Sequence, residues 1–229
     1  MATFDVMETA DVGTLFWGWG GTSFVCAVKA DDLTTSLLRS YKLSNGEFDA
    51  CAIWEAGRAT SAAPLYFPTI KIDVDGVSTE YFDGAMKNNN PIEEVRDEVF
   101  LKYRVETPRC VVSIGTGYLQ NASVEAGFWT KLAKWASGGF GLLGWTLLQL
   151  ALNTQAKHLE ILNADKYADF RVNYFRLNVE GKIANIGIER WDKMEDLRHY
   201  TEAYLATPEA KADIAKIVER LGKGRDFKA

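Results

Sequence analysis

The sequence predicts an α/β fold, and three patterns support this prediction. Short apolar runs at residues 23–28 and 110–114 are typical of buried strands. Residues 49–62 and 91–104 carry apolar side chains at helical spacing. A strand–turn–strand pattern lies between these two helices, at residues 71–82. Strand and helix patterns that alternate along a chain indicate a layered α/β domain.

The composition is that of an ordinary globular protein. The 229 residues are 47% hydrophobic and 25% charged, which is enough for one domain with a substantial core. With 26 basic and 31 acidic residues the formal net charge is −5, so there is no basic field for a nucleic-acid partner. The N-terminus lacks the basic start and continuous apolar run of a signal peptide. We therefore expect a cytoplasmic protein that does not bind nucleic acid.

The cysteines and histidines do not form a ligand pattern. Three widely spaced cysteines stand in apolar surroundings, which favours buried free thiols in a reducing compartment. His158 has no acidic or cysteine cluster at ligand spacing, and the acids near His199 are explained by pairing on one helix face. We expect neither a metal site nor a cofactor.

The N-terminal residues 1–21 match no recognised pattern, because acidic residues interrupt any helical stripe and aromatic residues stand among four glycines. They are a divergent start, the start of a truncated gene product, or a strand and turn that replace lost structure. We expect one domain over residues 22–221, followed by a frayed basic tail at 222–229.

The first predicted helix covers residues 49–62. Asp49 is its expected N-cap, and its packed face is expected near Ile53, Trp54, Ala56 and Gly57. Arg58 has two interpretations, a structural arginine paired with a carboxylate or an anion contact for a lipid headgroup. For Ser61 we favour a packing role at the helix end, because no adjacent base or tight elbow would activate it.

Asp83 stands at the junction between a predicted strand and a predicted helix. The dipeptide Asp75-Gly76 suits a tight hairpin turn between strands at 71–74 and 79–82. After the second strand, Asn90, Pro91 and Glu93 form a helix start with an N-cap, a first-turn proline and a capping acid. Such strand-to-helix connections commonly hold catalytic side chains in α/β folds.

The second half of the chain contains one strongly apolar segment. Residues 135–152 include no charged residue, and aromatic residues and lysines flank or enter this segment. It is a packed or lid-like segment, a contact with a membrane surface, or a membrane span. Beyond it we predict a helix at 142–162, a strand at 169–179, and helices at 190–205 and 208–221.

Several short motifs occur in a fixed order between residues 22 and 205. The strings are RATSAAP at 58–64, DGA at 83–85, NNP at 89–91 and SIGTG at 113–117, with looser matches at 24–27 and 39–41. In this order they resemble the second half of a patatin-like lipid acyl hydrolase, a phospholipase family. The resemblance implies a three-layer fold with a mostly parallel sheet, and a lipid or phospholipid ester as substrate.

The resemblance also implies the site residues. Members of the family use a serine–aspartate dyad, and the aspartate of the Asp-Gly-Gly/Ala motif maps onto Asp83. The supporting positions are Gly84, Ala85, Asn89, Asn90 and Arg58. Asp83 is expected to accept the proton of the nucleophilic serine without a histidine. The resemblance implies no cofactor.

The motif of the nucleophile is missing, because no Gly-x-Ser-x-Gly sequence occurs in the chain. Residues 18–23 contain glycines but lack the arginine and spacing of the family's oxyanion loop. We therefore expect the sheet to be incomplete in its N-terminal half. Three interpretations follow: a C-terminal portion of a hydrolase that is inactive alone, a non-catalytic lipid-binding or protein-interaction module, or an active enzyme with Ser23 as a rearranged nucleophile.

Overall fold

A computed structural model describes residues 22–43, 51–63, 66–74, 76–118, 154–181, 183, 186 and 190–222. Contacts divide the chain into two compact units, residues 1–103 and residues 104–229. The predicted turn at residues 44–46, the N-cap Asp49 and the apolar segment 135–152 lie outside the described residues.

The first unit is built on a four-stranded antiparallel sheet. Its strands lie in the order β2-β1-β4-β3, and helices α1 to α3 connect or follow them. The elements are β1 Phe24–Lys29, β2 Thr35–Arg39, α1 Ile53–Thr60, β3 Ile70–Val74, β4 Val77–Asp83, α2 Ala85–Asn88 and α3 Ile92–Tyr103. The core is the layer between α1 and the sheet, formed by Ala27, Leu38, Cys51, Ala56, Ala59, Ile72 and Tyr81.

The predicted hairpin is confirmed. Strands β3 and β4 pair antiparallel, with Val74 opposite Val77, so a two-residue turn joins them. Gly76 in that turn has a φ of +80°, a left-handed conformation that favours glycine. The buried strand predicted at residues 23–28 is observed as β1.

The predicted packed face of α1 was partly wrong. Trp54 is 61% exposed, and the helix buries Ala56 and Ala59 instead. The helix begins at Ile53, where the side chain of Glu55 accepts the N–H of Ala52 at 2.7 Å and so caps the first turn. The small residues face the core because the sheet lies close beneath them.

The second unit contains a two-stranded parallel sheet and several helices. Strand β5 pairs with β6, and Val111 lies opposite Tyr174. The elements are β5 Val111–Ile114, α4 Thr154–Asn163, α5 Ala168–Arg171, β6 Tyr174–Leu177, α6 Met194–Leu205 and α7 Pro208–Gly222, with short 3-10 turns at Asp165–Tyr167 and Trp191–Lys193. The strand predicted at 169–179 is therefore shorter, because its first residues form α5.

The α/β class is confirmed, whereas the finer arrangement is not. The four-stranded sheet is antiparallel and the two-stranded sheet is parallel, so a mostly parallel three-layer sheet stays a prediction. Within the described ranges, no helix is both long and apolar enough to cross a membrane.

Candidate active site

Asp83 is the last residue of β4, where the chain turns into α2. It lies opposite Ala27 of β1, and its backbone N–H donates to the carbonyl of Ala62 at 3.1 Å. Its Oδ1 accepts the N–H of Ala85 at 2.7 Å, which fixes the carboxylate at the start of α2. The backbone and the side chain of Asp83 are thus both positioned by hydrogen bonds.

Position 84 requires a glycine because there is no room for a Cβ atom, not because its backbone conformation demands one. Its φ of −60° and ψ of −30° are accessible to any residue. A Cβ at this position would lie 2.0 Å from the carbonyl oxygen of Cys26 and 2.5 Å from its carbonyl carbon. The backbone of β1 therefore approaches the Asp-Gly-Ala turn so closely that a larger residue cannot fit without moving one of them.

The small residues of the 58–64 motif serve the same junction. Ala59 and Ala62 are completely buried, with 0% exposure. Ala59 packs in the core, and Ala62 lies where its carbonyl accepts the N–H of Asp83. Their small side chains let the end of α1 lie close to β4, so this motif supports the position of Asp83.

A cavity of about 600 Å³ opens beside Asp83 within the first unit. It contains both apolar and polar side chains, and Asp83, Glu98 and Lys102 are its charged members. Its lining residues on β1 include Phe24, Val25 and Cys26, and those on α3 include Val95 and Val99. A concave, partly apolar cavity with a few polar groups is the usual form of a small-molecule site.

The environment of Asp83 changes its acidity. Burial raises the pKa of the Asp83 carboxyl above its ordinary value, and the hydrogen bond from the Ala85 N–H opposes this only in part. A carboxylate with a raised pKa is a stronger base. Carboxyls with a perturbed pKa that lie in a cavity are candidates for a functional site.

A buried ionic network forms another part of the cavity wall. Arg39 donates to both oxygens of Glu98, from Nε and Nη2, each at 2.8 Å. The hydroxyl of Tyr41 also donates to Glu98. Burial alone would raise the pKa of Glu98, but the hydrogen bonds from Arg39 and Tyr41 outweigh it and hold that pKa below its ordinary value.

This network explains the loosely matched motif at residues 39–41, which supplies both partners of Glu98. Sequence reasoning missed Glu98 itself. A signal was present, because Glu98 follows Val95 by three residues and so falls on the stripe of α3 predicted to be apolar. A charged residue in such a stripe requires a buried partner.

The three asparagines before α3 have different surroundings. Asn88, which the sequence analysis did not select, accepts from the hydroxyl of Thr35 and donates to Glu94, both at 2.7 Å. It therefore ties α2 to β2 and α3. Asn89 lines the cavity, whereas Asn90 is buried with 9% exposure and does not line it.

Arg58 lies apart from this cavity. Its Nη2 donates to the carbonyl of Pro68 at 2.7 Å, and its guanidinium lies 5.7 Å from the ring centroid of Phe67. It does not line the cavity. Among the described residues, its partners are thus a backbone carbonyl and a ring rather than the carboxylate expected for a structural arginine.

Two candidate nucleophiles near the cavity are unsuited to that role. The hydroxyl of Ser23 donates to Ser40 at 3.2 Å. Asp83 lies opposite Ala27, which is four residues after Ser23. At about 3.3 Å per residue in an extended chain, the backbones of Ser23 and Asp83 are about 13 Å apart. Burial and the charge of Glu94 raise the pKa of the Cys26 thiol to about 12, which keeps it protonated and unreactive.

The glycine-rich loop after β5, in the second unit, is closed by its own hydrogen bonds. The Gly115 N–H donates to the carbonyl of Leu177, and the Gly117 N–H donates to Oδ1 of Asn178, each at 2.8 Å. These amides are therefore not directed at a ligand. Residues 115–117 therefore form a strand-to-loop turn.

Residues 27–96 match the family model for the patatin-like phospholipases. None of the curated proteins compared with the chain matches it. The matched range contains the RATSAAP, DGA and NNP motifs, and with them Asp83 and the close contact of Gly84 with β1. It does not reach the SIGTG motif at 113–117. Over residues 27–96, this chain is therefore similar to the patatin-like phospholipases.

Proposed function

We propose that the chain supplies the dyad aspartate of a patatin-like lipid acyl hydrolase and is inactive by itself. The observation that carries the proposal is the position of Asp83. It lies at a strand-to-helix junction, beside a partly apolar cavity, with both its N–H and its carboxylate fixed by hydrogen bonds. A lipid or phospholipid ester is the substrate class, and no cofactor takes part.

The chemistry assigned to Asp83 is proton transfer. Its carboxylate accepts the proton of a serine hydroxyl while the serine oxygen attacks the ester carbonyl carbon. The proton then passes to the departing alcohol oxygen as the acyl–serine bond forms. Water repeats the cycle and releases the fatty acid. Donors for the developing oxyanion belong, with the serine, to a nucleophile-bearing segment that completes the site.

A non-catalytic lipid-binding or protein-interaction module is the second candidate. It is favoured by the distance of about 13 Å that the strand register puts between Ser23 and Asp83. The cavity and its buried network do not depend on a nucleophile. Under either function, peripheral contact with a membrane is part of the proposal, with the aromatic residues of segment 135–152 as the contact.

Ester hydrolysis tests the first function. The purified chain should not turn over p-nitrophenyl butyrate or a phospholipid above the buffer rate, and Asp83→Asn should not change this. Activity that disappears in Asp83→Asn and persists in Asp73→Asn, an exposed control on β3, would show that the chain contains its own nucleophile. Activity equal in all three proteins would indicate a contaminant.

The complete site provides the stronger test. If the reading frame upstream of Met1 encodes a Gly-x-Ser-x-Gly segment, the extended chain should hydrolyse these esters. Asp83→Asn should then reduce kcat about 10²–10⁴-fold, the usual contribution of a general base. An extended chain that remains inactive, or that is insensitive to Asp83→Asn, would contradict the proposal and leave the binding module.

A further inference from the structure

One end of the cavity carries a cation, the ammonium of Lys102. Lys102 of α3 lines the cavity, and its ammonium lies 4.1 Å from the ring centroid of Tyr41 and 5.6 Å from that of Tyr103. Within the described ranges, no carboxylate oxygen lies within the 4.0 Å that defines an ion pair with this ammonium. Ring faces attract a cation but leave its charge available to an anion.

Glu98 does not cancel this charge, although its field reaches Lys102. Both Glu98 oxygens are already bonded to Arg39, and Tyr41 donates to one of them. Lys102 therefore brings one positive charge to this end of the cavity, which suits a monoanion.

The cavity is elongated, with Lys102 and Asp83 at opposite ends. Thr22, two residues before β1, lies at the Lys102 end, because its hydroxyl is hydrogen-bonded to the hydroxyl of Tyr103 at 2.8 Å. From Thr22 to Ala27, opposite Asp83, the extended chain covers about 16 Å. Along α3, the rise from Pro91 to Lys102 is also about 16 Å.

Apolar side chains lie between the two ends, namely Phe24 on β1 and Val95 and Val99 on α3. A site with one cation, an apolar stretch and a carboxylate at the far end is complementary to an amphiphile with one anionic head. Repulsion from Asp83 places that head at the Lys102 end.

We propose that this cavity binds a medium-chain fatty acid anion, with its carboxylate on Lys102 and its hydrocarbon chain along these apolar side chains toward Asp83. The volume of about 600 Å³ suits one such chain rather than a two-chain lipid. The proposal rests on the proposed function, because it takes this cavity as the lipid site. The fatty acid is also the product that ester hydrolysis would release.

Calorimetric titration of the purified chain with sodium decanoate tests the proposal, and 1-decanol serves as a neutral ligand of equal length. We expect saturable decanoate binding that Lys102→Met weakens at least about tenfold, as loss of a charge-assisted hydrogen bond does. Binding of 1-decanol should be unchanged, because the methionine keeps an apolar stem. Lys102→Arg should retain decanoate binding, and Lys71→Met, an exposed control on β3, should have no effect.

Three outcomes would overturn the fatty acid proposal. Decanoate that fails to bind, or that binds Lys102→Met as tightly as the unmodified chain, removes the charge contact. Equal losses for decanoate and 1-decanol would show that Lys102 only maintains the cavity.

Asp83→Asn separates this proposal from the catalytic one, because this variant should bind decanoate at least as tightly as the unmodified chain while being unable to act as a base. Lys102-dependent binding without Asp83-dependent hydrolysis in the extended chain would retain the fatty acid site and reject the hydrolase.

Discussion

Replacing Glu98 by glutamine should be among the most destabilising single changes in the first unit. The Arg39 and Glu98 side chains are 8% and 4% exposed, and two hydrogen bonds of 2.8 Å join them. Glutamine has nearly the same shape as glutamate, but it cannot neutralise the guanidinium. Glu98→Gln therefore removes the carboxylate that pairs with a buried guanidinium.

The expected loss of stability follows from the loss of this buried ion pair. Removing one partner of a buried ion pair typically costs about 3–5 kcal/mol, mainly because the other charge remains desolvated. Tyr41→Phe removes only one hydrogen bond to a charged acceptor and should cost about 1.5–3 kcal/mol. Arg39→Met combined with Glu98→Leu removes both charges, so it should cost much less than the sum of the single changes.

Urea denaturation followed by circular dichroism measures these differences. Asp97→Asn is the matched control on the same helix, because Asp97 pairs with Arg96 at a site where the two side chains are 57% and 32% exposed. That exposed pair should contribute at most about 1 kcal/mol. A loss of less than about 1 kcal/mol for Glu98→Gln, or one equal to that of Asp97→Asn, would refute the assignment of a stabilising buried pair.

The pH dependence gives an independent check on Glu98. Its pKa in the folded protein lies below the ordinary value of 4.5, so its contribution to stability is fully present above that value. The contribution should be lost as the pH falls below 4.5 and through the folded pKa. The difference in stability between the unmodified chain and Glu98→Gln should shrink over this acidic range, since glutamine does not titrate.

Two further predictions concern the Asp-Gly-Ala turn. Asp83→Asn should stabilise the first unit by about 0.5–2 kcal/mol at neutral pH, because burial raises the Asp83 pKa above 3.8 and the amide oxygen can still accept the Ala85 N–H. Neutral Asp83 stabilises the folded state fully below pH 3.8, and this contribution is lost as the pH rises through the folded pKa. In thermal unfolding, the advantage of Asp83→Asn over the unmodified chain should therefore grow as the pH rises. Gly84→Ala should cost about 1–3 kcal/mol, because its Cβ would lie 2.0 Å from the Cys26 carbonyl oxygen. Gly57→Ala, at a helical position with no atom within 4 Å of the added Cβ, is its control and should be neutral or stabilising.

Local patterns predicted the elements around Asp83 well. The hairpin at 71–82 is set by turn chemistry and the helix predicted at 91–104 by short-range periodicity, both of which are visible in the sequence. The helix begins at Ile92, so Pro91 precedes it rather than being its first residue. The sheet order was less accessible, because β1 pairs with β4 across more than fifty intervening residues. No local pattern specifies that pairing, and the implied parallel sheet was not found in the four strands of the first unit.

The candidate site was predicted in the same uneven way. Asp83 was identified through its motif, but the residues that shape the cavity came from distant parts of the chain. Glu98 and Lys102 lie seven and eleven residues beyond Pro91, and they meet Arg39 and Tyr41 only after β2 and α3 have packed. Arg58 belongs to one of the motifs, but among the described residues its partners are Pro68 and Phe67, and it does not line the cavity.

The geometry that positions Asp83 is contained within the described first unit. Ala62 accepts its N–H, Ala85 donates to its carboxylate, and Gly84 lets the backbone of β1 pass beneath the turn. Each of these contacts joins elements between β1 and α2, and a nucleophile contributes to none of them. The chain can therefore hold a carboxylate with a raised pKa at the edge of a partly apolar cavity. Under the proposed function, a completing segment would need to bring only the serine and its oxyanion donors to a carboxylate that is already in place.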